Sequence, residues 1–357
     1  MKKFLVISLL FLMAGCSSKP SPEKLQTSMK SVFNLLVEKP QFVMYLNFGN
    51  MRTTQFWKDN ISDSVLNSEN TLGSLLNTFN EATGATISRG LDEMFYSNSW
   101  LGENAIVLKG VFDRNKLDSF LQKDSSFSRK EYPAEGITVY IRKDNNLQFF
   151  FKDNFTLCAS NFTKQIENMI AIKDTSNTGL LLNKDILAAI DKINYKNSLW
   201  LVTTEKTFIR GIFLNFIESK SPKFDSTKTL PTDTIKLNTG TGKDSLSKTD
   251  KLIANELYRQ INSVSISAKM KNDMDFVVQF ECVDEASAGF LNNLITGMIT
   301  LSRLSSSGEK DKKPSSSEKI LESMRVNNFE SSVHINVNIT KDNINDFRKN
   351  TFLTKPN

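Results

Sequence analysis

The sequence predicts an α+β fold, with antiparallel sheets and helices packed on one face of them. The strands are indicated by short stretches in which apolar and polar residues alternate, as at Val264, Ile266, Ala268 and Met270. Several strands end at a residue that can cap a helix, and apolar residues at helical spacing follow. With 357 residues, of which 26 are Phe, the chain is long enough for two domains with apolar cores.

The first half is predicted to span residues 23–195. Leu25, Met29 and Phe33 at helical spacing indicate its first helix, and Lys39-Pro40 ends it. Helices are predicted at 23–38, 51–59, 71–82, 87–94, 114–123, about 160–172 and 183–193. Strands are predicted at 42–48, 95–100, 104–112, 137–142, 147–152 and 155–159.

The second half is predicted to span residues 196–357. Strands are predicted at 198–204, 263–270, 275–283 and 331–340, and helices at 205–218, 251–259, 285–304, 318–325 and 341–350. The helix side chains Phe290, Leu294 and Met298 are expected to cover Phe280 on the apolar face of the 263–283 hairpin. Truncation of Gln279, on the opposite face, is expected to cost little.

Two polar stretches interrupt the second half. Residues 219–250 consist mainly of Ser, Thr, Lys, Asp and Gly, and are predicted to be a disordered insertion because they cannot bury enough apolar surface to fold. Residues 305–317 are predicted to be a flexible loop. Within the insertion, Asp233-Thr234-Ile235 and Asp244-Ser245-Leu246 resemble sites that Bacteroidetes O-glycosylate.

One supersecondary unit recurs, in which a strand or hairpin ends in a capping residue and a helix follows. Its copies begin at Phe112-Asp113, Ser160-Asn161, Val283-Asp284 and Ile339-Thr340. The two halves are therefore predicted to be divergent copies of one unit.

The first fifteen residues have the pattern of a secretory signal peptide. Lys2 and Lys3 precede an apolar run at 4–13, which is too short to span a bilayer as a mature helix. Met13-Ala14-Gly15-Cys16 follows and resembles the lipobox of bacterial lipoproteins. The resemblance implies that Cys16 is diacylated, becomes the first mature residue and anchors the chain in a membrane.

Residues 16–22 are then predicted to be the anchor and a short polar tether. In the resembled lipoproteins, an Asp just after the cysteine causes retention in the inner membrane, and an acidic cluster can cause export to the cell surface. Neither follows Cys16, so the resemblance implies an outer-membrane protein facing the periplasm. The layout of the whole chain resembles cell-envelope lipoproteins of unknown function from Bacteroidetes-like bacteria. This resemblance brings no catalytic motif with it.

The charge pattern does not favour nucleic-acid binding, because the formal net charge is only +6 and the lysines are scattered. Carboxylate pairs could support glycoside hydrolysis. The candidates are Asp92 with Glu93, Asp273 with Asp275, and Glu281 with Asp284 or Glu285. Turn and cap positions already account for Asp273 and Asp284. The Asp273–Asp275 spacing lacks the rest of a calcium loop.

His334 is the only histidine, which excludes multi-histidine metal sites. Alternation turns it away from the apolar face of its strand, and we predict a surface histidine rather than a member of a catalytic triad. Residues 239–243 mimic part of a phosphate loop, but Leu237 replaces a required glycine, so this motif is rejected.

Cys158 and Cys282 are predicted to be two buried thiols; a disulfide between them is the alternative. Three consecutive aromatic residues are Phe149, Phe150 and Phe151, and the simpler interpretation is that they pack in the core on both faces of a sheet. The sharper interpretation is an apolar groove for a lipid or peptide. Trp57, Trp100 and Trp200 are placed at element ends.

The sequence therefore predicts a lipid-anchored envelope protein without catalysis, cofactor or metal, which acts as an interaction or structural module. Its partners are the membrane, through Cys16, and an envelope protein or apolar ligand. The alternative function is a carrier or sensor with a Phe-lined groove, and the third is a carboxylate-dependent hydrolase.

Overall fold

The computed structural model describes residues 19–61, 80–173, 176–212, 256–306 and 316–346. The strands are β1 Phe42–Asn47, β2 Leu91–Asn98, β3 Asn104–Gly110, β4 Phe127–Tyr132, β5 Ile137–Arg142, β6 Gln148–Phe151, β7 Thr156–Ser160, β8 Leu199–Thr203, β9 Ile261–Met270, β10 Met274–Cys282, β11 Arg325–Phe329 and β12 Ser332–Ile339. The longer helices are α1 Thr27–Phe33, α2 Phe48–Thr53, α3 Gln55–Asn60, α4 Arg114–Lys123, α5 Thr163–Ala171, α6 Lys184–Lys192, α7 Glu285–Ser306 and α8 Ser316–Ser323. Residues 80–83, 206–212 and 341–346 are also helical, and 3₁₀ turns cover Gly179–Leu182 and Tyr258–Gln260.

The predicted α+β class is confirmed. The twelve strands found in the described residues form one antiparallel sheet, in the order β11-β12-β10-β9-β8-β1-β2-β3-β7-β6-β5-β4. The two halves therefore share a single sheet and meet where β1 pairs with β8, with Tyr45 opposite Trp200.

The strand order repeats on either side of this central pair. Outward from β1 the order is β1-β2-β3-β7-β6, and outward from β8 it is β8-β9-β10-β12-β11. A helix follows the third strand in both series, α4 after β3 and α7 after β10. The hairpin of β4 and β5 has no counterpart in the second series. Descent of the halves from one unit stays a prediction.

Helices cover both faces of the sheet, so the prediction of a single covered face is wrong. On one face, called here the α6 face, α1, α5 and α6 pack over a core that includes Tyr45, Phe150 and Trp200. On the other, the α7 face, α2 and α3 pack near one end. Helix α7 packs over Val264, Phe280 and Val333 at the other end of the same face. The central strands carry apolar side chains on both faces and therefore need two covering layers.

The prediction of a helix at 87–94 is wrong, because β2 begins at Leu91. Gly90 has a φ of 91°, which favours glycine and is incompatible with a right-handed helix. A side chain at Gly110 would lie 2.1 Å from the carbonyl oxygen of Gly90, so the two backbones approach closely here. The apolar spacing at 87–94 thus belongs to a turn and a strand.

The sequence prediction missed β4, and it assigned the start of β11 to the end of a helix. These are the two edge strands of the sheet. Strand β4 is mostly exposed and carries Arg129, Lys130 and Glu131, so it lacks the alternation of a half-buried strand. Charged residues on an edge strand discourage pairing with another chain.

The side chains that helix α7 buries agree only in part with the prediction, since of the three predicted residues Leu294 packs, partly buried, against this core. Ala288, Leu291, Ile295 and Ile299 pack into the core. Phe290 is 54% exposed, whereas Phe280 is buried as expected. Gln279 is also buried, because the α6 face is covered there, so the expectation that its truncation costs little is wrong.

Three of the four predicted capping residues accept a hydrogen bond from the first helical turn. Asp113 accepts from the Lys116 amide at 3.0 Å, and Asp284 accepts from the Ser287 amide at 2.8 Å. Thr340 accepts from the Asn343 amide at 3.3 Å. At the fourth, α5 begins after Phe162, and the prediction of a cap at Ser160 or Asn161 is wrong.

Candidate functional site

The most unusual site in the described part of the chain is a group of buried polar side chains on the α6 face of the second half. We call this group the Glu281 cluster. It comprises Lys192 and Asn194 from the end of α6 and beyond, Gln279 and Glu281 from β10, and Ser332 and His334 from β12. The strand residues are adjacent because Gln279 pairs with His334 and Glu281 with Ser332 across β10 and β12. Alternation on β10 and β12 directs their apolar residues to α7 and these polar residues to α6.

Glu281 has hydrogen-bond partners on both carboxylate oxygens. Ser332 Oγ and Gln279 Nε2 donate to Oε1 at 2.7 and 2.8 Å, and Lys192 Nζ donates to Oε2 at 2.7 Å. Burial by itself raises the pKa of Glu281, but these hydrogen bonds and the Lys192 charge outweigh it. The pKa therefore lies below its ordinary value, and Glu281 stays ionised.

His334 is fully buried, contrary to the predicted surface position. Its Nδ1 lies 3.3 Å from Asn194 Nδ2, and the Phe329 ring packs edge-on against it at 5.1 Å. Nε2 has no hydrogen-bond partner within the described ranges. Burial lowers the pKa of His334 to about 4, so the ring is neutral at pH 7. Ser332 donates to Glu281 and not to His334, so the bonding order of a catalytic triad is not present.

The end of the predicted tether and the residues just after it are bound beside this cluster. Lys19 Nζ donates to Ser332 Oγ at 2.9 Å. Glu23 accepts from Lys269 Nζ at 2.6 Å and from the Lys196 amide at 2.7 Å. The buried Lys196 ammonium donates in turn to the carbonyl oxygens of Glu23 and Ile193, at 2.6 and 2.8 Å. No sequence pattern singles out Lys196.

A polar crevice of about 460 Å³ opens next to Glu281 and Lys192. Asp185, on the first turn of α6, and Lys206 also line it. Lys206 donates to the carbonyl oxygen of Ile261, and burial lowers its pKa. The crevice thus combines two carboxylates and two ammonium groups. The charges of Lys192 and Glu281 compensate each other, because the two side chains form an ion pair.

Several members of the candidate carboxylate pairs have structural partners. Asp92 forms an ion pair with Arg52, whereas Glu93 accepts from the Tyr45 hydroxyl at 2.7 Å. The Asp284 carboxylate caps α7 by accepting a hydrogen bond from the Ser287 amide.

In the Asp273–Asp275 pair, Asp275 has a side-chain partner, and the backbone carbonyl of Asp273 accepts from the Lys271 amide in the turn at 2.9 Å. Asp275 accepts from Asn338 Nδ2 at 2.7 Å. In the described residues, no group of three or more His, Cys, Asp or Glu side chains is placed to hold a metal ion.

The consecutive phenylalanines lie in the core. Phe150 is buried in the core of the α6 face, while Phe149 and Phe151 pack on the opposite face. Trp57 and Trp200 are buried as well. The simpler interpretation of these aromatic residues, that they pack in the core, therefore agrees with their positions.

Cys158 and Cys282 are free and buried, in agreement with the prediction of two thiols. Cys158 belongs to the α6-face core and Cys282 to the α7-face core, so the sheet separates them. Burial raises the pKa of both thiols to about 12.

One exposed apolar site lies at the turn between β2 and β3. Trp100 and Leu101 are 56% and 85% exposed, and Gly102 follows with a φ of 79°. Asn161 Nδ2 donates to the Gly102 carbonyl oxygen at 2.9 Å, which places the partly exposed Phe162 nearby. We call Trp100, Leu101 and Phe162 the hairpin-tip patch.

Several predicted features lie outside the described residues. These are the signal peptide at 1–15, Cys16, the 219–250 insertion with its 239–243 motif and its two glycosylation-like sites, and most of the 305–317 loop. Within the described ranges, no helix is both long and apolar enough to cross a bilayer.

Fold and site together define an α+β protein built on one wide antiparallel sheet, with a polar cluster under α6. No protein-family model matches the chain, and no curated protein matches it. A solved structure described as "Structure of crystal form III of TP0453" has 8% sequence identity and a TM-score of 0.43, covering 93% of this chain and 99% of that one. "Structure of crystal form IV of TP0453" has 7% identity and a TM-score of 0.42, covering 90% and 96%. Similarity this weak carries no argument about function.

Proposed function

We propose that this protein is a lipid-anchored, non-catalytic protein of the cell envelope. In this proposal the acylated Cys16 holds it at the outer membrane, facing the periplasm, and it acts through contacts with other envelope proteins.

The observation that carries the proposal is the fastening of the N-terminal segment close to Cys16. Lys19 follows the cysteine by three residues and is bound to Ser332. Three extended residues span at most about 10 Å, so an acylated Cys16 holds this part of the sheet next to the bilayer. The hydrogen bonds of Glu23 to Lys196 and Lys269 hold the N-terminal segment against the sheet.

The chemistry of the Glu281 cluster favours a structural role over a catalytic one. A general acid or base needs a free proton position and a pKa near the working pH. Glu281 is ionised and fully paired, and the His334 ring is buried and neutral at pH 7. The cluster instead joins α6, β10, β12 and the N-terminal segment.

The hairpin-tip patch is the surface we assign to partner contacts. Exposed Trp and Leu side chains at this turn supply apolar contact area, and Trp is enriched in interface hot spots. The patch is small, so it serves as an anchor within a larger interface.

The lipid anchor is tested with Cys16→Ser in the native host. The variant cannot be diacylated, so we expect unprocessed or soluble protein and a shifted intact mass, measured by membrane fractionation and mass spectrometry. Ser17→Ala is the control and is expected to behave as wild type. Membrane partition and a mature mass equal to wild type in Cys16→Ser would refute the anchor.

The contact surface is tested with a photo-crosslinking amino acid at position 101 in the anchored protein. We expect discrete crosslinks to envelope proteins that disappear with Trp100→Ser. The control carries the same crosslinker at position 135, in the exposed turn between β4 and β5. Identical crosslink patterns at the two positions would contradict the assignment of the hairpin-tip patch.

A further inference from the structure

Helix α7 carries a row of exposed apolar positions on the side that faces away from the sheet. A helix turns by about 100° per residue, so Phe290, Gly297, Leu301 and Leu304 fall within about 60° of each other, opposite the side chains that pack into the core. Leu301 and Leu304 are 68% and 65% exposed. We call these four residues the α7 outer row.

A groove of about 630 Å³ opens at the N-terminal end of this row, between α7 and the residues just before β9. Most of the surface that lines it is apolar, and Leu257, Ala286 and Phe290 contribute to this surface. The α7 outer row thus has an apolar groove at one end and two protruding side chains, Leu301 and Leu304, at the other.

The groove and the two leucines lie at matching distances from the middle of α7. Phe290 is the sixth residue of the helix and Leu301 is the sixth from its end, while Ser287 is the third and Leu304 is the third from the end. If two copies of α7 pack antiparallel through this row, Leu301 of one copy lies level with Phe290 of the other, and Leu304 lies level with Ser287. A two-fold axis therefore brings the leucines of each copy to the groove of the other and closes the assembly as a dimer.

The charges at the two ends of α7 favour the same antiparallel arrangement. Glu285 is the first residue, Arg303 lies in the last turn, and no charged residue occurs between them in the sequence. Antiparallel packing brings the acidic end of one helix to the basic end of the other, and it also pairs the opposite ends of the two helix dipoles.

A bilayer surface matches this helix less well than a second copy does. Helices that lie on membranes are rich in Lys and Arg on their polar face. Helix α7 has a single Arg, and Glu256 and Asp284 border the groove at its other end. An anionic lipid surface would repel these carboxylates.

We propose that this face binds a second copy of the chain, and that the two copies form a two-fold dimer through antiparallel contact of their α7 outer rows. A helix of 22 residues is about 33 Å long, so the contact area falls at the low end of specific interfaces. The dimer is therefore reversible, with a dissociation constant in the micromolar range. The proposal does not depend on the lipid anchor or on the hairpin-tip patch.

The first test is sedimentation velocity of the full chain over a dilution series. We expect a monomer–dimer equilibrium whose dissociation constant rises about tenfold or more in Gly297→Glu, because the two new carboxylates meet near the two-fold axis. A Cβ at Gly297 would have no other atom within 4 Å, and Glu favours a helix more than Gly does. The variant should therefore keep the melting temperature of the wild type.

Thr296→Glu is the matched control for this charge. It adds the same carboxylate at an exposed position one residue earlier, about 100° round the helix from Gly297. We expect its dissociation constant to stay close to that of the wild type.

The second test is oxidative crosslinking of Gly297→Cys in cells of the native host. Position 297 lies just past the middle of α7, so its two copies are within about 5 Å of each other along the helix axes, which suits a disulfide. Cys158 and Cys282 are buried and should not react. Asn115→Cys, at an exposed position on α4, is the control and should give no disulfide-linked dimer.

Four results would overturn the proposal. They are a wild-type chain that sediments as a monomer throughout the series, a Gly297→Glu dimer as tight as that of the wild type, crosslinking of Gly297→Cys only to other proteins, and a monomer that uses the α7 outer row to bind vesicles of phosphatidylethanolamine and phosphatidylglycerol.

Discussion

At the scale of single residues, the sequence predicts correctly which face of β12 carries His334, but it predicts wrongly that this face is exposed to solvent. Alternation on β12 correctly separates His334 from Val333 and Ile335. The sequence indicates that one face of this strand is apolar, but it does not reveal that α6 and the segment after it cover the other face. His334 and Gln279 are therefore buried among polar neighbours instead of lying in solvent.

The lowered pKa of His334 predicts that stability falls as the pH decreases below neutrality. The unfolded chain takes up a proton near the ordinary value of 6.5, whereas the folded protein resists protonation until about pH 4. Between these values the unfolded state binds more protons, so acid favours unfolding. We expect the free energy of unfolding to fall by about 2 kcal/mol between about pH 7.5 and pH 5, measured by urea denaturation.

His334→Gln is the control for this prediction, because glutamine keeps a polar group there but does not titrate. Its unfolding free energy should be nearly flat over the same pH range. Glu281 does not interfere, since its lowered pKa places its own acid-induced loss below its ordinary value of 4.5. An equally steep decline in His334→Gln would show that other groups cause the acid sensitivity.

At the scale of elements, the sequence predicts a strand or helix well where its apolar residues recur at a regular spacing. It predicts the edge strands of the sheet poorly. Strands β1 and β10 and helix α4 are predicted close to their observed bounds, because apolar residues recur at a regular spacing along them. Strand β4 has no such period, and β11, the other edge strand, was assigned in part to the helix before it. Pairing with a neighbour, rather than burial, maintains these two strands.

Two phenylalanines near the junction of β10 and α7 give the prediction for this scale. Phe280 is buried under α7, so Phe280→Ala should lower the free energy of unfolding by about 3–5 kcal/mol. Phe290 is 54% exposed, and Phe290→Ala, the matched control, should lower it by less than about 1 kcal/mol. The measurement is urea denaturation at neutral pH.

Gln279→Ala belongs in the same series. It removes donors to Glu281 Oε1 and to the Lys192 carbonyl oxygen, so we expect a loss of about 1–3 kcal/mol. Equal, small effects of Phe280→Ala and Phe290→Ala would mean that α7 does not pack on β10 as described.

At the scale of the whole molecule, one sheet joins the two halves into a single body. β1 and β8 pair at the centre, and the α6-face core continues from α1 across Tyr45 and Trp200 to α6. Because the central strands are shared, unfolding of one half exposes the apolar surface of the other. Cooperative unfolding of both halves is the expected behaviour.

The insertion at 219–250 is predicted to contribute little to this body. Its composition offers few apolar side chains to bury, so its deletion should change the melting temperature by less than about 2 °C. Limited proteolysis of the wild type should cut there first. Deletion of residues 316–323, which contain the buried Leu321, is the contrasting variant and should lower the melting temperature clearly. Loss of cooperative unfolding after deletion of 219–250 would show that the segment packs.

Local patterns in the amino-acid sequence are sufficient to predict the α+β class, most inner strands and the helix starts at Asp113 and Asp284. These features depend on interactions within a few residues, namely alternation along a strand and a side chain that caps the next turn. The lipobox-like end of the first sixteen residues is equally local, and its meaning stays a prediction. The coverage of both sheet faces and the edge positions of β4 and β11 become visible only in the folded protein. The tertiary structure also brings Glu281 to Lys192 and Leu257 to Phe290, because folding joins residues that are far apart in the chain, and no local pattern records such a contact.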